Sequence, residues 1–361
     1  MLRRFVPLAP LLWAALFLLV LELALEVRAA KRGHRAELLG IKPGVEEPAD
    51  VNAAFGPTAE FPFRGPVVPA AEARTAGALW IASSSYAEDV YIPAADIFPT
   101  RLGAALERPV LNASRGGLTI LSNLEDLEAH GADFEPHFVL LYQMSNDLDQ
   151  ISNQLASAAP AAAPGGASTS ESDEARLAAG DATEGEPEAH GQLGFAPVSP
   201  WIQRMTVYRH LKGHVSSRLA QHLALWDALP DPARGEALFL ARVERFVAEV
   251  RARGAEPVLA TFATAYDEDS ADAVPGFVER QNLSRNTLLS SRAWVATFDD
   301  WNAALRKYGA AEGIPVIDMD ARFTGQAELF RDLWHFTNEG HAQAAAFLAD
   351  ELGARFEGLA Q

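Results

Sequence analysis

Five short apolar runs, at residues 78–82, 109–111, 138–142, 257–262 and 314–317, alternate with stretches in which apolar residues recur every three or four positions. That alternation predicts parallel strands joined by crossover helices, because parallel neighbours cannot be linked by a tight turn. The helical pattern shows in Phe98, Leu102 and Leu106, over residues 238–250, from Trp301 to Tyr308, and over 342–352. The expected fold is α/β: a three-layer α/β/α sandwich around a five-stranded parallel sheet. Ligands of such sheets bind beyond the carboxyl ends of the strands. Polar residues gather there: Ser83-Ser84-Ser85 after the first run, Asn112 to Thr119 after the second, and Gln143 to Asp147 after the third.

The rest of the chain divides by composition. Residues 5–25 are apolar except for Glu22 near their end, follow Arg3 and Arg4, and are long enough to cross a bilayer. Residues 1–35 are therefore expected to form a membrane anchor with its flank. The rival reading is a signal peptide cleaved near Val27-Arg28-Ala29. Arg28, Lys31, Arg32 and Arg35 follow the apolar run and, by the positive-inside rule, pull against export of the bulk of the chain. Residues 36–76, rich in Pro, Gly and Glu, read as a stalk. The folded domain is expected in two parts, 77–153 and 195–361. Between them lies an insertion, 154–194, of Ala, Pro, Gly, Ser and acidic residues, which cannot bury enough apolar surface to offset its ordering entropy. After it, Ile202, Met205, Tyr208, Leu211, Val215 and Leu219 recur at helical spacing, opposite Arg204, Arg209, Lys212 and Arg218. This reads as a surface helix with a solvated basic face, or as a lid over the active site. A net charge of −18 argues against a nucleic-acid partner, and the absence of cysteine excludes disulfides and thiolate metal sites.

One short motif carries chemistry of its own. Asp332 precedes His335 by three residues, just ahead of a helix that Thr337 or Asn338 can cap and that Glu339 suits in its first turn. A carboxylate so placed can fix an imidazole tautomer, and the imidazole can take a proton from a serine supplied elsewhere. Ser84 and Ser85, at the end of the first strand, are the candidates.

Taken in order, Ser84 or Ser85, Gly117, Asn146, and Asp332 with His335 resemble the SGNH (GDSL-type) hydrolase family, whose four blocks are named for Ser, Gly, Asn and His. The likeness spans residues 79–147 and 257–352. Asn112-Ala113-Ser114 with Gly117 and Thr119 follows the second block closely. Asp332-x-x-His335 with Asn338 and Gly340-His341 follows the last. The first block, usually Gly-Asp-Ser with a Gly four residues on, is here Ser83-Ser84-Ser85 with Asp89. The third keeps its Asn146-Asp147 but has Met144 in place of Gly.

The resemblance implies a flavodoxin-like sheet and an ester hydrolase. Its nucleophile is Ser85, or Ser84 if the register slips by one; His335 is the general base and Asp332 orients it. The oxyanion donors are the Ser85 and Gly117 N–H groups and the Asn146 side chain. It requires no metal and no cofactor. The implied substrates are O-acyl esters, O-acetyl foremost, of carbohydrate or lipid-like molecules at the cell envelope. Since family members of this kind often act outside the cytoplasm, an anchored domain on the periplasmic or cell-surface side is expected. An acyltransferase acting on surface polysaccharide, and a noncatalytic binding or scaffold domain, are the alternatives; the altered first block suggests the latter. Asp147, His137, His210 and His214 read as structural, His341 as packing or hydrogen-bonding, and Asp318 and Asp320 as strand-ending residues.

Overall fold

The computed structural model describes residues 63–158, 226–270 and 289–359. Its sheet has five parallel strands: β1 (Leu79–Ala82), β2 (Val110–Asn112), β3 (Phe138–Leu141), β4 (Glu256–Ala260) and β5 (Val316–Ile317), in the order β2-β1-β3-β4-β5. Every residue of β1 and β3 is buried, which is why both read as unbroken apolar runs rather than alternating ones. Leu79 pairs with Phe138 and Ala82 with Leu141, so the two central strands end level. The chain steps from β1 outward to β2, then crosses back to β3 and beyond. With right-handed crossovers, that reversal places the helix after β1 on one face and the helices after β2, β3 and β4 on the other. The switch point lies at the carboxyl ends of β1 and β3.

The helices are α1 (Ala70–Ala76), α2 (Ser85–Glu88), α3 (Phe98–Leu106), α4 (Ile120–Phe134), α5 (Ser145–Ala158), α6 (Pro232–Ala252), α7 (Ser291–Glu312), α8 (Met319–Phe323) and α9 (Asn338–Leu359). On one face α3 packs against α9; on the other α6 packs against α4, α5 and α7. Local sequence starts several of them. Thr119, Asp231, Ser290 and Asp318 each accept a backbone N–H from the first turn of the helix that follows. Asp318 and Asp320, expected at a strand end, also pair with Arg306 of α7.

Two expected boundaries shift. The stalk was to run to residue 76, yet Phe63 is buried, with ring centroids 5.0 Å from Trp80 and 5.1 Å from Phe134. Ala73 of α1 is buried too, and Arg64 donates to the carbonyls of Glu88, Asp89 and Ile92. Residues 63–76 therefore belong to the domain; two or three anchoring side chains suffice, too few to create a periodic pattern. The insertion was to begin at 154, but α5 continues to Ala158 and buries Leu155. The apolar run 5–25, the stalk up to residue 62, insertion residues 159–194 and the basic helix from Ile202 to Leu219 lie outside the described residues. Among those described, no helix is long and apolar enough to cross a membrane.

Removing the Phe63 ring should leave a cavity beside Trp80. Phe63→Ala is expected to lower the unfolding free energy by about 3–5 kcal/mol, read from urea denaturation. Val67→Ala, at a side chain left largely exposed, should change it by less than about 0.5 kcal/mol. A Phe63→Ala chain as stable as the parent would return residue 63 to the stalk.

Candidate active site

At the end of β1 the backbone turns sharply into a single helical turn. Ser84 is still non-helical, at φ −133° and ψ −147°, and Ser85 is the first helical residue. An N–H in that position has no intrahelical acceptor, so it is free to serve a ligand. Ser83 Oγ donates to the Tyr142 carbonyl at 2.5 Å, fastening the end of β1 to the end of β3.

The base comes from the other end of the chain. Phe330 and Phe336 form an antiparallel bridge, and Arg331 N–H donates to the His335 carbonyl at 2.7 Å, closing residues 331–335 into a tight loop. Inside it, Asp332 Oδ1 accepts the backbone N–H groups of Trp334 at 3.0 Å and His335 at 2.8 Å. Its Oδ2 lies 2.6 Å from His335 Nδ1. Burial alone would raise the Asp332 pKa, but the neighbouring imidazole and the donors on its oxygens bring it below the ordinary carboxylate value. An ionised carboxylate only accepts, so Nδ1 carries the hydrogen and Nε2 presents a lone pair. Ser85 Oγ stands 2.8 Å from that lone pair and donates to it. Such a relay can deprotonate a hydroxyl as it attacks and return the proton to a leaving group.

The remaining sequence candidates converge on the same place. Gly117 has φ +87°, in the region that favours glycine, and its N–H donates to Ser84 Oγ at 3.1 Å. Asn146, in the first turn of α5, donates through Nδ2 to Ser84 Oγ at 2.6 Å and to the Leu118 carbonyl at 2.8 Å. Ser84, Ser85, Gly117, Asn146, Asp332 and His335 thus form one cluster, with the hydroxyl of Ser85, not that of Ser84, at the imidazole. Asp147 turns away: it accepts from Arg242 Nη1 at 2.8 Å, Gln143 Nε2 at 3.0 Å and the Ile120 N–H at 3.0 Å, tying α5 to α6 and to the start of α4. His137 directly precedes the amino end of β3, at the far end of the strands from the site. His210 and His214 are outside the described residues. Among the described residues no cluster of His, Asp or Glu could hold a metal ion.

Sequence reasoning missed what holds the two halves together. Asp89 is wholly buried and receives both oxygens' worth of hydrogen bonding from Arg331 Nη2. Its Oδ2 also accepts from His341 Nε2 at 2.9 Å. His341 Nδ1 accepts the Phe98 N–H at 3.0 Å, so the ring is the neutral Nε2–H tautomer. Burial holds the His341 pKa below its ordinary value. Burial also opposes ionisation of Asp89, but the His341 hydrogen bond and the Arg331 charge outweigh it and lower that pKa to about 2. Arg331 Nε donates to the Phe336 carbonyl at 2.9 Å. This network joins α2, the His335 loop, α9 and α3. A signal existed: Arg331 is a charge beside Leu329 and Phe330, directly before the Asp332 motif. Tyr86 was missed as well; its ring lies 6.0 Å from that of His335, and its hydroxyl contacts Gln143 and Ser145 at 2.8 Å.

The GDSL-like Lipase/Acylhydrolase family is matched over residues 81–343. Among solved structures, a GDSL-like lipase from Bacteroides thetaiotaomicron is 10% identical, with TM-score 0.42, over 78% of this chain and 90% of that one. A lipase/acylhydrolase from Enterococcus faecalis is 14% identical, with TM-score 0.41, over 77% and 96%. An acetyl xylan esterase is 11% identical, with TM-score 0.39, over 75% and 97%. No curated protein matches the sequence.

The buried network should make the fold acid-labile. Both folded-state pKa values lie below their unfolded ones, so the stability they contribute is complete above the unfolded pKa and lost as pH falls. For His341 the loss begins below about pH 6.5. For Asp89 it runs from about pH 4 down to about 2 and amounts to about 2 kcal/mol. Melting temperature should therefore fall on acidification, and His341→Gln should flatten the step below pH 6.5. Asp89→Asn leaves the Arg331 charge buried without a counter-charge and is expected to cost about 3–5 kcal/mol at pH 7 by chemical denaturation. A variant as stable as the parent would remove Asp89 from this role.

Proposed function

We propose that this chain, which belongs to the GDSL-like lipase/acylhydrolase family, is a serine ester hydrolase that works through Ser85, His335 and Asp332. The observation that carries the reading is the unbroken relay, 2.8 Å from Ser85 Oγ to His335 Nε2 and 2.6 Å from Nδ1 to Asp332. Ser85 attacks the ester carbonyl while His335 takes its proton, and the imidazolium is stabilised by Asp332. The carbonyl oxygen becomes an oxyanion held by the Ser85 N–H, the Gly117 N–H and Asn146 Nδ2. Collapse releases the alcohol, which receives the proton from His335. Water, deprotonated by the same imidazole, then attacks the acyl carbon; the bond to Ser85 Oγ breaks, His335 returns the proton to that oxygen, and the carboxylic acid leaves.

The substrates we propose are O-acyl esters, O-acetyl foremost, of carbohydrate or lipid-like molecules at the cell envelope. The acylhydrolase family supports the bond class. The apolar run at residues 5–25, read as an anchor, supports the location. Full-length protein should then sediment with membranes and resist a carbonate wash. Recovery as a soluble chain shortened by about thirty residues would favour cleavage instead.

Ser85→Ala should reduce hydrolysis of a short p-nitrophenyl ester by at least about a thousandfold and abolish labelling by a fluorophosphonate. His335→Ala should cost nearly as much, and the double variant little more, because triad members act as a unit. Folded wild-type protein that neither hydrolyses esters nor labels would leave the binding or scaffold reading in place of the enzyme.

A further inference from the structure

Resting on that reading, we infer that Ser84 is the positioning residue of the oxyanion pocket: its hydroxyl oxygen holds in place the two donors that Ser85 does not supply. A serine just before a helix ordinarily turns its hydroxyl onto the backbone N–H groups of the first turn. Ser84 does not; its side chain makes no capping bond to α2. The turn is held by backbone instead, with the Ala87 and Glu88 N–H groups both donating to the Ser84 carbonyl at 3.1 and 3.0 Å. The fully buried hydroxyl faces the site. It accepts from Gly117 N–H at 3.1 Å and from Asn146 Nδ2 at 2.6 Å, and donates to the Arg115 carbonyl at 3.3 Å. One donor and two acceptor lone pairs complete what a hydroxyl can do.

The two donors it gathers arise on different elements, Gly117 in the loop after β2 and Asn146 at the start of α5. No atom lies within 4 Å of where a Cβ on Gly117 would stand, and the turn that carries it is closed by the Leu118 N–H donating to the Arg115 carbonyl at 3.2 Å, the carbonyl that also accepts from Ser84 Oγ. Asn146 is pinned from two sides, by Ser84 Oγ and by the Leu118 carbonyl. A single oxygen therefore gathers both donors at one point beside Ser85 before substrate arrives, and they turn from it to the oxyanion as charge develops. The hold is releasable. A neutral hydroxyl is a weaker acceptor than a developing oxyanion, and charge-assisted hydrogen bonds are roughly twice as strong as neutral ones.

The test is a comparison of wild type with Ser84→Ala, Ser84→Thr and Ser84→Asp, the last two keeping an acceptor oxygen. Ser84→Ala is expected to lower kcat on a p-nitrophenyl ester by about 10- to 100-fold, less than outright loss of a donor, with KM changed by less than about threefold. Its fluorophosphonate labelling should slow by a similar factor yet still reach completion, since the Ser85–His335 pair is intact. At least one of Ser84→Thr and Ser84→Asp should recover most of kcat. Thermal melts taken alongside separate this role from support of the turn. A folded Ser84→Ala protein with kcat unchanged or raised overturns the inference, as does failure of both acceptor-bearing variants to restore the rate. Wild type that neither turns over nor labels takes down the parent reading and this one with it. An active, labelled wild type with an indifferent Ser84 takes down this one alone.

Discussion

The buried ion pair between Asp89 and Arg331 is the constraint on which the site depends. The two residues are 242 positions apart in the chain, yet each is a near neighbour of the chemistry: Asp89 ends the turn that begins at Ser85, and Arg331 precedes Asp332. Burying two charges costs desolvation, so such a pair is poor evidence of net stability. Its worth lies in registration. The carboxylate is further satisfied by His341, and the guanidinium by the Phe336 carbonyl, so a slip of either segment would strand a charge in the core. Asp89 also has a left-handed backbone, φ 32°. Glycine, the usual residue at this place in the family that the chain resembles, suits that conformation but cannot hold Arg331. Aspartate, among the residues that tolerate it best, can do both.

A four-residue helix such as α2 has no stability of its own, because nucleation is unfavourable and so few bonds follow. Its position is imposed from outside. Arg64 gathers the carbonyls at its end, Asn112 Nδ2 donates to the Ala87 carbonyl at 3.0 Å, and Asp89 fastens the residue after it. The carboxyl ends of β1 and β2, and the segment before α1, thus all bear on one turn. This is why residues 63–76 behave as part of the domain, and why a mutation at Phe63 acts on the same body that carries Ser85.

The sheet was legible in the sequence because its central strands are buried on both faces, and unbroken apolar runs such as Leu79 to Ala82 admit few other readings. Asp332 and His335 were legible because their geometry is local, three residues apart in one loop. The pairing of Ser85 with His335 was less so. Three consecutive serines differ only in where the helix begins, and that is decided by backbone contacts composition does not reveal. Phe63 and Arg64 were illegible for a related reason: a pair of anchoring side chains leaves no period to detect. Arg331, Asp89 and His341 escaped because each is unremarkable alone; their meaning is a contact between distant segments.

Set against the family pattern, the two substitutions in the first block act together. The usual aspartate at position 84 is replaced by a neutral hydroxyl, and the usual glycine at 89 by a carboxylate. The oxygens that hold Gly117 N–H and Asn146 Nδ2 are therefore uncharged, the Ser84 hydroxyl and the Leu118 carbonyl. The carboxylate five residues on is neutralised by Arg331 and turned into the core. What reads as decay of a motif is, in the folded chain, a transfer of negative charge from the reacting centre to the joint that aligns it.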